Sequence, residues 1–172
     1  EKMHPLGFHY HVSYPGNFID RAESFSDWRK EWFQLAFNGA SRRYFTPKRF
    51  ECEPQKKKHL SVMFYTRLWN PGDMPKLYDS VVKINQDRIR LVSELKKNYG
   101  SCFCGGIQYS GLAAKSCKDL IADIGTTKRK KYLELMHQAD ICIGSAGLHG
   151  SIGWKTGEYI AAAKAVVNEK FQ

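Results

Sequence analysis

Three features of the chain predict an α/β fold built on a mostly parallel sheet. From Leu60 onward, short apolar runs alternate with longer segments of helical period. Most successive runs are separated by a single helix, which favours right-handed crossovers between parallel strands. The last crossover is entered through a glycine-rich turn, GLHGSIG over 147–153, where a strand hands over to a helix.

In chain order, LSVMFYTRL (60–68) is a continuous apolar run ending in polar residues and reads as the first strand. KLYDSVVKINQDRIRLVSELKKNYG (76–100) follows as a helix, with Val82, Ile89, Val92 and Leu95 at helical spacing and a stop at Gly100. CFCGGI (102–107) is a second strand and KDLIADIG (118–125) a third, weaker one. The helix KKYLELMHQA leads into the strand DICIGSA. After the glycine turn come the helix WKTGEYIAAAK and the strand AVVNE. This is half of a doubly wound, Rossmann-like fold, whose ligands bind off the carboxyl ends of the strands.

Residues 1–55 have a different texture. A turn-rich opening precedes SFSDWRKEWFQLAF, in which Phe25, Trp28, Trp32, Phe33, Leu35 and Ala36 fit one face of a short helix. The chain begins in mid-texture and stops at EKFQ directly after a strand. The expected organisation is therefore an aromatic inter-domain segment, or part of a missing N-terminal domain, over 1–55. A nucleotide-binding domain truncated at its C-terminus follows over 56–172.

No apolar run reaches the roughly 20 residues of a membrane helix, and the N-terminus lacks the pattern of a signal peptide, so a cytoplasmic location is expected. Five cysteines are best read as reduced thiols, with Cys102 and Cys142 in core strands, and no cysteine or histidine pair has zinc spacing. The 27 Lys and Arg against 17 acids give a formal charge of +10, which favours polyanions: nucleic acid, a nucleotide or a membrane surface. The clusters QKKKH (55–59) and TKRKKY (127–132) carry much of the excess and read as solvated connections. No nucleic-acid-binding motif accompanies them.

Candidate site residues gather at strand ends. Arg67 ends the first strand; Gly147, His149, Gly150, Ser151 and Gly153 form the glycine turn; Lys155 and Glu158 lie in the helix that follows. A side-chain-poor turn opening a helix can hold a phosphate on backbone N–H groups, although an ordinary strand-to-helix connection also favours glycine. An Arg, a Lys and a helix N-terminus can together neutralise a diphosphate, and a carboxylate in the next turn can accept from the two hydroxyls of a ribose. No Asp-x-Asp cluster is present to hold a divalent ion, so no metal is expected. Trp154 is expected to pack against the next helix.

From Leu60 to Phe171 the sequence resembles the donor-binding C-terminal domain of GT-B glycosyltransferases, the group that includes glycogen synthase and bacterial polysaccharide transferases. FYTRL is similar to the strand ending in Gly-Arg-Leu, HQADICIGSA to the helix and "ADV" strand, and GSIGWKTGEYIAAAKAVV to the Gly-Phe-Gly turn, Glu-Ala-Met-Ala helix and "PVV" strand. The resemblance implies a nucleoside-diphosphate sugar donor, with Arg67 and Lys155 on the diphosphate, Gly153 against it and Glu158 on the ribose. It also implies a saccharide or lipid-linked acceptor, peripheral membrane contact in the full-length protein, and a catalytic base outside this segment, which alone would not turn over. Gly150 stands where retaining members carry a first Glu, eight positions before the ribose-binding one. That departure leaves a non-catalytic nucleotide-binding or interaction domain as the alternative.

Overall fold

The computed structural model describes Arg29 and residues 49–54, 60–151 and 153–169. The helix read over 25–36 and the cluster at 55–59 lie outside the described residues, Arg29 apart. Four strands, β1 (Val62–Thr66), β2 (Phe103–Ile107), β3 (Ile141–Gly144) and β4 (Ala165–Asn168), form one sheet in the order β2-β1-β3-β4, parallel throughout. The helices are α1 (Tyr78–Tyr99), α2 (Gly111–Ser116), α3 (Arg129–Gln138) and α4 (Trp154–Ala161). The α/β architecture is the one the alternating pattern predicts. No helix among the described residues is long and apolar enough to cross a membrane.

Alternation along β1 divides the core between the two faces of the sheet. Val62 and Phe64 pack with Val92 and Leu95 of α1, with Ile107 and with Ala113 of α2. Met63 and Tyr65 pack with Tyr132, Leu133 and Met136 of α3 and with Tyr159 of α4. The crossover β1-α1-β2 runs one way from β1 and β3-α4-β4 runs the other way from β3. With one handedness for both, their helices fall on opposite faces, and the chain reverses its winding between β1 and β3. Phe50, from the aromatic N-terminal segment, is fully buried in the α3/α4 layer, and its carbonyl meets His137 Nε2 at 3.1 Å.

Two readings are corrected. Residues 118–125 do not form a strand. Lys118–Leu120 is a 3-10 turn, Ile121 makes a single bridge to Ile107, and the chain then turns as Asp123 O accepts from Thr126 N and Oγ1. Before it lies α2, unforeseen, capped by Ser110 Oγ accepting from Ala113 N at 3.1 Å. Cys102 is exposed in the 3-10 turn Gly100–Cys102, because helix α1 ends at Gly100 (φ 49°) and β2 starts only at Phe103. Cys142 is buried as expected, and burial pushes its thiol up to about 12.

The β1–β2 pair is packed without slack. A methyl group on Gly105 would overlap the Phe64 carbonyl and lie 2.7 Å from Phe103 Cζ. Gly105→Ala is therefore expected to destabilise the protein by about 1–3 kcal/mol, because backbone cannot yield as a side chain can. Thermal unfolding of the variant checks this; an unchanged Tm would mean that the two strands separate at little cost.

Candidate functional site

The sheet opens at its reversal point. β1 pairs with β2 over all five residues but with β3 only at Val62 and Met63, so β1 and β3 diverge towards their carboxyl ends. Thr66 O is taken on the β2 side by Gln108 N, whereas Tyr65 O faces the side that β3 has left. Lys155, in the first turn of α4, fills that vacancy by donating its Nζ to Tyr65 O. Its ammonium also lies 5.4 Å from the centre of the Tyr132 ring. Burial is the main force pushing Lys155 down to about 8; Glu158 opposes the shift, and the charges of Arg88, Arg129 and Arg67 reinforce it.

Glu158 lies one turn further along α4 and is 2 % exposed. Arg129 Nη2 donates to its Oε1 at 2.8 Å, while Oε2 is buried with no hydrogen-bond partner among the described residues. Arg129 opens α3, with its guanidinium 5.1 Å from the centre of the Phe50 ring. In the cluster 127–132, Lys128, Lys130 and Lys131 are indeed exposed, but Arg129 is turned inward to the carboxylate.

Helix α1 supplies two further polar groups. Its buried stripe is Val81, Asn85, Arg88, Val92 and Leu95. Asn85 clamps the chain after β1, accepting from Trp69 N at 3.0 Å and donating to Trp69 O at 2.7 Å. Arg88, 6 % exposed, donates Nη1 to Arg67 O at 2.9 Å and lies over the Trp69 ring at 4.2 Å. Burial first, and the charge of Arg67 second, pull its guanidinium down to about 10; Glu169 acts in the opposite sense.

Arg67, Lys155 and Glu158 lie in one electrostatic neighbourhood, since the charges of Arg67 and Glu158 both act on Lys155. Arg67 is exposed, with no side-chain hydrogen bond or ion pair among the described residues. The glycine turn lies after β3. Gly147 N donates to Ser151 O at 2.9 Å and Ser151 N to Leu148 O at 3.1 Å, which folds 147–151 back on itself. His149 (φ 57°) and Gly150 (φ 65°) are both left-handed. The side chains of His149 and Ser151 are exposed, and no hydrogen bond ties them to Lys155 or Glu158 among the described residues. Gly153 is the N-cap of α4, where a Cβ would stand 3.2 Å from Ser145 O, and no side chain caps that helix. Trp154 is 54 % exposed rather than enclosed. No group of three metal-ligating side chains occurs among the described residues.

No family model, curated protein or solved structure matches this chain. The geometry therefore carries the functional reading. It is a cationic neighbourhood at the reversal point, in which Arg67, Arg88 and Arg129 act on Lys155, Arg129 pairs with the buried Glu158, and Glu169 acts on Arg88. Asn85, Arg88 and Arg129 escape a sequence reading. The available signal for the first two was a pair of polar residues at the spacing of an otherwise apolar helical stripe.

Proposed function

We propose that the chain is the nucleotide-sugar-binding domain of a GT-B-type glycosyltransferase, holding a nucleoside-diphosphate sugar whose sugar passes to a saccharide or lipid-linked acceptor. The observation that carries this reading is the convergence of Arg67, Arg88 and Lys155 at the reversal point without enough carboxylates to balance them. A dianionic diphosphate supplies the missing charge. As the bond from the anomeric carbon to the β-phosphate oxygen breaks, its electron pair goes to that oxygen, and preorganised cations stabilise the growing charge. In this reading Glu158 Oε2, which has no hydrogen-bond partner among the described residues, is the acceptor for ribose hydroxyls. The acceptor's proton is removed by a base that lies outside this site.

One observation favours the non-catalytic alternative. Gly150, where the resembling family carries a Glu, is left-handed, a conformation costly for a residue with a Cβ. Sugar transfer from a nucleoside-diphosphate donor, measured on the protein, separates the two readings.

Calorimetry with UDP, GDP, ADP and dTDP and their nucleosides tests the site. The diphosphates are expected to bind and the nucleosides to bind far more weakly, with affinity unchanged by chelators. The reading fails if no diphosphate binds with a Kd of about 1 mM or tighter. A steep salt dependence, which reports many phosphate contacts, would instead favour a nucleic acid.

A further inference from the structure

Arg88 is out of place as a purely structural residue. It sits on the buried stripe of α1, where an apolar side chain would satisfy the packing, and Asn85 already clamps the following loop at both Trp69 backbone groups. Arg88 brings a full positive charge into this layer with no carboxylate within ion-pair distance among the described residues. Its Nε is buried with no hydrogen-bond partner among the described residues. Among the described residues only Nη1 makes a hydrogen bond, on Arg67 O, which leaves Nη2 available to a ligand. Glu169, beyond the end of β4, is the acidic group that acts on it; Arg67 repels it, and Arg88 in turn repels Lys155. A buried charge left in this condition is costly unless an ion or partner compensates it.

We infer that Arg88 is a ligand-binding residue: its guanidinium, held over Trp69 and pinned by Arg67 O, presents its open edge to a phosphate oxygen of the ligand bound at the reversal point. The inference rests on the proposed diphosphate site and adds to it a contact from α1, on the face of the sheet opposite α4. Two phosphate groups would then be gripped from both sides of the sheet, by Arg88 from one and by Lys155 from the other. A fork suits this task because the planar guanidinium, once stacked, loses little further freedom on meeting an oxyanion.

The probe is inorganic pyrophosphate, titrated calorimetrically into the whole chain at several salt concentrations. Arg88→Gln is expected to weaken binding about tenfold or more, to flatten its salt dependence, and to leave Tm unchanged or raised. Asn85→Ala loosens the Trp69 loop without removing a charge, so it should lower Tm and keep the salt dependence of the wild type. If Arg88→Gln is not folded, Arg88→Lys is read in its place, and a severalfold loss of affinity with Tm maintained carries the same meaning. Unchanged pyrophosphate affinity in the folded variant overturns the inference. So does a loss that Asn85→Ala reproduces with the salt dependence intact, since Arg88 would then be only a loop clamp. If Arg67→Gln abolishes binding and Arg88→Gln does not, the inference alone falls; if the wild type binds no pyrophosphate, the diphosphate reading falls with it.

Discussion

Arg129→Met is expected to lower the unfolding free energy by about 3–5 kcal/mol, because it strands a carboxylate in the interior. Glu158 is 2 % exposed and one of its oxygens already lacks a hydrogen bond among the described residues, so the bond from Arg129 Nη2 is its main compensation. Methionine keeps an unbranched side chain beside Phe50 and Tyr132, whose ring centres lie 5.1 Å and 6.0 Å from the guanidinium, and removes the charge. For a chain of this size the corresponding fall in Tm is on the order of 10 °C. Glu158→Gln alone should be milder, since the side chain left behind, Arg129, is 34 % exposed and can regain water. Combining the two substitutions should recover most of the loss, because no unpaired buried carboxylate remains; a thermodynamic cycle measures the coupling. Additive losses, or a Tm for Arg129→Met equal to that of the wild type, would remove the ion pair from the account of stability.

Lys155 should make both stability and anion binding depend on pH in the alkaline range. Its ammonium is held near 8 in the folded protein against an ordinary 10.5, with burial as the main cause. Below about pH 8 both folded and unfolded chains carry the proton, and the folded state bears the full cost of a desolvated charge. Between pH 8 and 10.5 the folded chain releases that proton while the unfolded chain retains it, so the unfolding free energy rises with pH in this window. The stability of the wild type relative to Lys155→Met should therefore increase from pH 8 to 10.5, by an amount on the order of 2 kcal/mol. A flat difference would show that the lysine is not desolvated.

Binding follows the opposite course. An anion at the reversal point favours the charged lysine, so binding takes up a proton above pH 8 and affinity falls as pH rises, with a limiting slope of about tenfold per pH unit. Lys155→Met should weaken pyrophosphate by about 1.5–3 kcal/mol at pH 7, roughly 10- to 150-fold, and abolish the pH dependence. Affinity that stays constant from pH 7 to 9.5 in the wild type would reduce Lys155 to a cap on the Tyr65 carbonyl.

The strand–helix alternation from Leu60 to Asn168 was legible because it is written in local hydrophobic period, which each segment carries by itself. The helix stop at Gly100 and the strand-to-helix turn at 147–153 were legible for a similar reason, as both need residues of low steric demand at a defined place. Arg67, Lys155 and Glu158 could be singled out because a strand end and the first turns of the next helix converge in any parallel sheet. The apparent strand at 118–125 misled because a short apolar run does not reveal that a turn at Lys118–Leu120 and another after Asp123 leave room for one bridge. The rest was decided by tertiary structure. Which side of α1 faces the sheet depends on how the helix is rotated, so Asn85 and Arg88 look like solvated residues until Val81, Val92 and Leu95 are seen buried beside them. Arg129 is one cation among several in a basic run, and only the packing of α3 against α4 turns it alone toward Glu158 across 29 residues of chain. The parting of β1 from β3 beyond Met63 is also invisible in either strand, yet it frees the Tyr65 carbonyl for Lys155. Local pattern thus determined the elements and their order, whereas the balance of charge at the reversal point depends on distances between residues far apart in the chain, which only the folded sheet sets.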